Sequence, residues 1–122
     1  VGLGLDINFA QRLAEDTHFP DNYFDLVVAN LVFHEVAAFA TKKIYPEIHR
    51  ITRKGGVWSG DGEGGNRRRR GSIVTNAATW VNHRYNNETW QLEWEGLEPN
   101  DLLNDAGFVI DRSGGRPLTV KA

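Results

Sequence analysis

The spacing of apolar residues changes along the chain, and each change predicts an element. Phe24-Asp25-Leu26-Val27-Val28-Ala29-Asn30 is a nearly continuous, Val-rich apolar run opened by an acid. It predicts a strand buried on both faces, as in a parallel sheet. Pro20-Asp21-Asn22, just before it, is turn chemistry. After it, Val36, Phe39, Ala40, Ile44, Ile48 and Ile51 recur every three or four residues, the stripe of a helix. Pro46 interrupts this stripe, which predicts either a kink or two helices with Pro46 in the first turn of the second. Arg50, Arg53 and Lys54 favour a helix C-terminus, with Gly55 as its left-handed cap. Val57-Trp58-Ser59 reads as the next strand, so the order is that of a right-handed parallel crossover.

The second half is less regular. The glycine-rich stretch from Gly60 to Gly71, with arginine at every position from 67 to 70, predicts an exposed loop. Ala77 to Tyr85 suits a helix. Trp90, Leu92 and Trp94 alternate like a strand, while Trp90 and Trp94 also share a helix face, so both forms stay open. Pro99 to Ala106 predicts a short helix with Gly107 as its cap. Phe108-Val109-Ile110, the turn Ser113-Gly114-Gly115 and Leu118-Thr119-Val120 predict a terminal antiparallel pair.

With 122 residues, the chain is the size of one domain spanning 1–122. It has no cysteine, which excludes disulfides and thiolate metal sites. No apolar run approaches the ~20 residues of a membrane span and no signal segment opens the chain, so the expected compartment is the cytoplasm. Net charge is only −2 but is distributed in blocks: acidic over 1–35, basic over 42–70, acidic again over 86–111. Such blocks belong to solvated faces that pair with one another in the fold.

Further motifs carry chemistry. Ala14-Glu15-Asp16-Thr17-His18-Phe19-Pro20-Asp21-Asn22-Tyr23 leading into the Phe24–Asn30 strand is one. Glu47-Ile48-His49-Arg50-Ile51-Thr52-Arg53-Lys54-Gly55-Gly56 ahead of a strand is another. Leu103-Asn104-Asp105-Ala106-Gly107-Phe108 and the closing strand pair follow in order. Together they resemble class I S-adenosylmethionine-dependent methyltransferases, nearest the small-molecule branch that includes quinone-ring methyltransferases. The resemblance covers roughly residues 3–60 and 99–122. It implies an α/β, Rossmann-like, doubly wound and mostly parallel sheet with an antiparallel C-terminal strand. Residues 60–98 then form a loop and substrate-cap insertion.

The same resemblance implies site residues. Asp6, within Gly4-Leu5-Asp6-Ile7-Asn8, matches the acid that grips the ribose hydroxyls, a task suited to a carboxylate accepting from two vicinal donors. Ala14 and Glu15 match the positions that meet the adenine edge, and Asn30 with Leu31 those that line the methionine and methyl end. His34 is the candidate general base for an acceptor that needs deprotonation. The implied cofactor is S-adenosylmethionine, the partner a small-molecule methyl acceptor, and no metal is required.

Some departures from the family pattern qualify the expectation. The glycine-rich loop after the first strand has no counterpart here, and only nine residues separate Asp6 from Asp16, where the family has a full helix. Leu13 stands where the family usually has an acid. The expected sheet is therefore incomplete at its amino-terminal side, the methyl-transfer site impaired, and the alternative a non-catalytic remnant acting as a binding or assembly module. A strand edge left bare would favour a homodimer. His34-Glu35 opens a zinc-protease motif, but Ala38 stands where the second histidine would be. Gly60-Asp61-Gly62-Glu63-Gly64-Gly65 matches a dinucleotide loop, yet its two acids would repel a pyrophosphate. Arg67–Arg70 carries no interleaved aromatics, which disfavours a nucleic-acid partner.

Overall fold

Strand β1 (Phe24–Ala29), a 3-10 turn (Phe33–Glu35), helix α1 (Ala38–Ile51) and strand β2 (Thr52–Gly60) follow one another as a parallel β-α-β unit. The computed structural model describes residues 3–60, 77, 78, 80, 81, 84–87, 89–114 and 117–122. It continues with α2 (Gln91–Gly96), α3 (Pro99–Ala106), β3 (Phe108–Asp111) and β4 (Leu118–Lys121). The four strands make one sheet in the order β1-β2-β4-β3. β1 and β2 are parallel, whereas β4 is antiparallel to both β2 and β3. This is the expected α/β, Rossmann-like arrangement, with β1–β2 as its parallel pair.

α1 is one helix that runs through Pro46. Pro46 and Lys42, four residues earlier, are both exposed, so water can serve the Lys42 carbonyl that proline leaves without a donor. The helix stops at Ile51, earlier than its basic residues suggest. Thr52 is already extended, and its hydroxyl donates to the Ile48 carbonyl at 2.6 Å. Gly55, with φ of 76°, therefore does not cap a helix. It sits in a bulge of β2, where Phe24 pairs with Thr52 but Leu26 pairs with Val57.

Lys121 on β4 caps α1 instead. Its Nζ donates to the carbonyls of His49 (2.7 Å) and Thr52 (2.9 Å) and to Asn22 Oδ1 (2.9 Å). A cation there offsets the negative end of the helix dipole and satisfies carbonyls that α1 leaves open. Gly107, at φ of 106°, caps α3 as its position predicts.

The core is Phe33, Ile44, Tyr45, Ile48, Trp58, Leu103 and Phe108, with Val27 and Ala29 of β1 packed against it. The other face of β1 is bare: Leu26 and Val28 are 55% and 60% exposed. The expectation of burial on both faces is corrected on this point, because no described element covers that side. The segment after Trp90 resolves as helix, Gln91–Gly96, with Trp90 at its N-cap and Trp94 stacked on Phe33 at 5.2 Å. Residues 77, 78, 80, 81, 84 and 85 are helical. The expected glycine-arginine loop lies, beyond Gly60, outside the described residues.

Residues 4–13 are exposed, and no strand forms over Gly4–Asn8. Leu3, Leu5, Ile7 and Phe9 alternate as strand residues do, but a single strand with no neighbour has nothing to pair with or bury against.

Candidate functional site

At the carboxyl ends of β1 and β2, Val28 pairs with Ser59 and Ala29 with Gly60, so both strands end together. In open α/β sheets the ligand crevice lies outside such ends. Asn30 and Leu31 leave β1 here, and both are exposed. Leu31 has φ of 56°, a left-handed conformation that costs a non-glycine residue roughly 1–2 kcal/mol. Strain of this kind persists where surrounding packing overrides it, and it gathers at functional sites. The override is visible two residues on. Phe33 is buried, stacks on Tyr45 at 5.0 Å and on Trp94 at 5.2 Å, and so pulls the chain inward immediately after Leu31.

Phe33 also places His34. The histidine side chain is 26% exposed, and its Nε2 lies 3.4 Å from Glu35 Oε1. A carboxylate at that distance helps to orient the ring. Gly60 closes the opposite strand end. A Cβ there would collide with the Trp58 ring and meet the Ala29 carbonyl at 2.6 Å, so no larger residue fits without a shift.

Ala14 and Glu15 lie on a different feature. They are the middle of a turn in which the Asp16 amide donates to the Leu13 carbonyl at 3.2 Å. Arg12 braces the turn from outside, donating to the Thr17 carbonyl at 2.7 Å with its guanidinium 4.4 Å from the Phe19 ring centroid. From the helix side, Glu47 accepts from the Thr17 amide (2.8 Å) and the Thr17 hydroxyl (2.6 Å). Arg50 donates to both Glu47 oxygens, to the Phe19 carbonyl and to Asp21. The hydrogen bonds from Arg50, outweighing burial and joined by those from Thr17, lower the Glu47 carboxyl to about 2. Arg50 is raised in turn by Glu47 and Asp21.

The predicted residues thus fall into groups. Asn30, Leu31 and His34 stand together at the carboxyl end of β1. Ala14 and Glu15 stand on a turn tethered to Glu47, about 14 Å along α1 from its start at Ala38. Asp6 belongs to neither group, being an exposed residue of the segment before the turn. Sequence reasoning missed Glu47, Thr17 and Trp94. The available signal for Glu47 was an acid among the apolar positions of α1, between Ile44 and Ile48, which is buried only with partners.

Residues 1–59 match the family of methyltransferase domains. No curated protein matches the chain. Among solved structures, the fold is similar to that of a provisionally assigned methyltransferase from Bacillus halodurans C-125, with a TM-score of 0.57 at 19% identity. That match covers 81% of this chain and 40% of the other, so this chain spans less than half the length of that protein. No helix among the described residues is long and apolar enough to cross a membrane. Residues 1–59 are thus similar to methyltransferase domains, and the fold over most of the chain is similar to that of this methyltransferase-like structure.

Proposed function

We propose that this domain takes part in methyl transfer from S-adenosylmethionine to a small-molecule acceptor in the cytoplasm. The observation that carries the reading is the strained carboxyl end of β1. There Asn30 and left-handed Leu31 open onto the ligand side of a parallel pair, and His34 stands at the rim. The residues present suit the cofactor in kind: carboxylates at Asp6 and Glu15 for hydroxyl and amine donors, and a strand end open to an apolar methyl group. The bound cofactor supplies an activated sulfonium methyl. The chain's share is to orient an acceptor behind it, with Asn30 and Leu31 as the wall and His34 taking up a proton when the acceptor carries one.

The described residues offer one wall of a site, whereas small-molecule sites enclose ~70–90% of a ligand of this size. Binding by this chain is therefore expected near the millimolar range. Calorimetry with S-adenosylmethionine tests the reading. Asp6→Ala is expected to weaken binding by about 1.5–3 kcal/mol, the scale of a hydrogen bond to a charged group. A chain that is folded yet does not bind at all would favour the second reading, a non-catalytic assembly module. Its supporting observation is that Asp6 is exposed and lies in no strand.

A further inference from the structure

Glu47 is a buried acid on α1, and nothing assigned so far requires it there. Its side chain is 8% exposed, and it accepts from Thr17 twice and from Arg50 twice. A carboxylate with every oxygen engaged in this way serves as a geometric anchor, since any movement of a partner leaves a buried charge short of donors. Arg50 extends the grip. Through it, one turn of α1 holds Thr17, Phe19 and Asp21, alternate residues of a strap whose chain direction turns at His18 (φ of 57°). The residues between them, His18 and Pro20, are exposed.

The strap continues without slack into the Leu13–Asp16 turn. Thr17 is its pivot: amide and hydroxyl go to Glu47, while its carbonyl accepts from Arg12. Glu15 is two residues away and Ala14 three, within ~7 and ~11 Å of the anchor even if fully extended. At the other end the strap enters β1, with the Asn22 amide on the Arg50 carbonyl at 2.9 Å and the Tyr23 amide on the Ile51 carbonyl at 2.8 Å. Both ends of the strap are therefore indexed to α1, the helix whose first turn follows the His34 rim.

We propose that Glu47, acting through Thr17, is a positioning residue that sets the Ala14–Glu15 turn for the adenine end of the cofactor. The inference rests on the proposed S-adenosylmethionine site and adds to it the residues that hold one part of that site in register. Glu47 does not touch the ligand. Its effect is on how much of the population presents the turn in the binding geometry, which scales the observed affinity directly.

The test is titration of the wild-type chain with adenosine and with S-adenosylhomocysteine to millimolar concentration, followed by amide chemical shifts. The same titrations are run on Thr17→Val, Thr17→Ser, Glu47→Gln and the double variant. Thr17→Val keeps shape and loses only the hydroxyl, with its donation to Glu47 and its acceptance from the Phe19 amide at 3.3 Å, so it guards against a Glu47→Gln variant that fails to fold. Expected are a dissociation constant raised about tenfold in Thr17→Val, near wild type in Thr17→Ser, and no further loss on adding Glu47→Gln to Thr17→Val. A general loss of stability would not be rescued by Thr17→Ser, nor would it leave the two changes non-additive. Equal affinities in the wild type and Thr17→Val would overturn the positioning role while leaving the site in place. A folded wild type that shifts with neither ligand would overturn the site and this role together.

Discussion

The Glu93 carboxylate accepts a hydrogen bond from the Ala38 amide at 3.1 Å, joining α2 to the first turn of α1 across 55 residues of sequence. Ala37, the residue at the cap position, has no side chain that could do this. Glu93 therefore performs from a distance what a serine or aspartate usually performs locally, and its charge also complements the helix dipole. The neighbouring Trp94 stacks on Phe33, so the cap region is fastened beside His34 by one polar and one apolar contact.

Replacing Glu93 by Gln should lower stability by about 0.5–1 kcal/mol, the usual worth of a charged partner at a helix start. Urea unfolding followed by tryptophan fluorescence measures it. An unchanged midpoint would show that the contact contributes nothing in solution.

Acid sensitivity should come partly from Glu47. Its carboxyl is lowered from 4.5 to about 2 in the folded chain, so its contribution is complete above the unfolded value and is lost as pH falls toward 2. The full depression corresponds to roughly 3 kcal/mol, and solvent screening at the partly open Arg50 leaves ~2 kcal/mol. Glu47→Gln should flatten the stability profile below about pH 4.5. The comparison is of urea midpoints at several pH values, and parallel profiles would remove Glu47 from this role.

His49 should add a second acid-sensitive step at milder pH. Burial, and then the charge on Lys121, lowers its imidazole below the ordinary 6.5. Its ring lies edge-on to Phe108 at 5.1 Å. The unfolded chain binds this proton more readily, so stability is whole above about pH 6.5 and declines as pH falls below it. Melting temperatures between about pH 7.5 and about pH 5.5 should fall in the wild type and less in His49→Gln.

The bare face of β1 predicts self-association. Leu26 and Val28 are exposed, and among the described residues β1 has a strand partner on one edge only. Light scattering should show dimers or larger species that shrink in Val28→Lys, whose new charge points away from the core. A clean monomer at high wild-type concentration would count against this.

The local signals were strong wherever one short stretch decides its own conformation. The Phe24–Asn30 run, the α1 stripe, Pro99 through Gly107 and the terminal strand pair all formed close to where their periodicity and caps placed them. Pro46 left a choice between a kink and two helices. The structure keeps one helix because Pro46 falls on the solvent side.

Other features needed contacts distant in sequence. The Trp90–Trp94 pattern fits both strand and helix, and packing on Phe33 and Ala38 is what goes with helix here. The alternation of Leu3, Leu5, Ile7 and Phe9 suits a strand, but a strand exists only with a neighbour to receive its hydrogen bonds. The α1 boundary moved for the same reason, since Thr52 pairs with Phe24 and Lys121 takes the helix-end carbonyls.

By itself, the sequence determined the element types, their order and the chemical kinds of the candidate site residues, because turn chemistry, capping and hydrophobic period act over a few residues. Only the tertiary structure decided which of those residues meet. It grouped Asn30, Leu31 and His34 at the end of β1, tied the Ala14–Glu15 turn to Glu47, and left Asp6 exposed. Those outcomes depend on which surfaces are buried together and which charges are paired once buried, and neither is fixed by any single stretch of the chain.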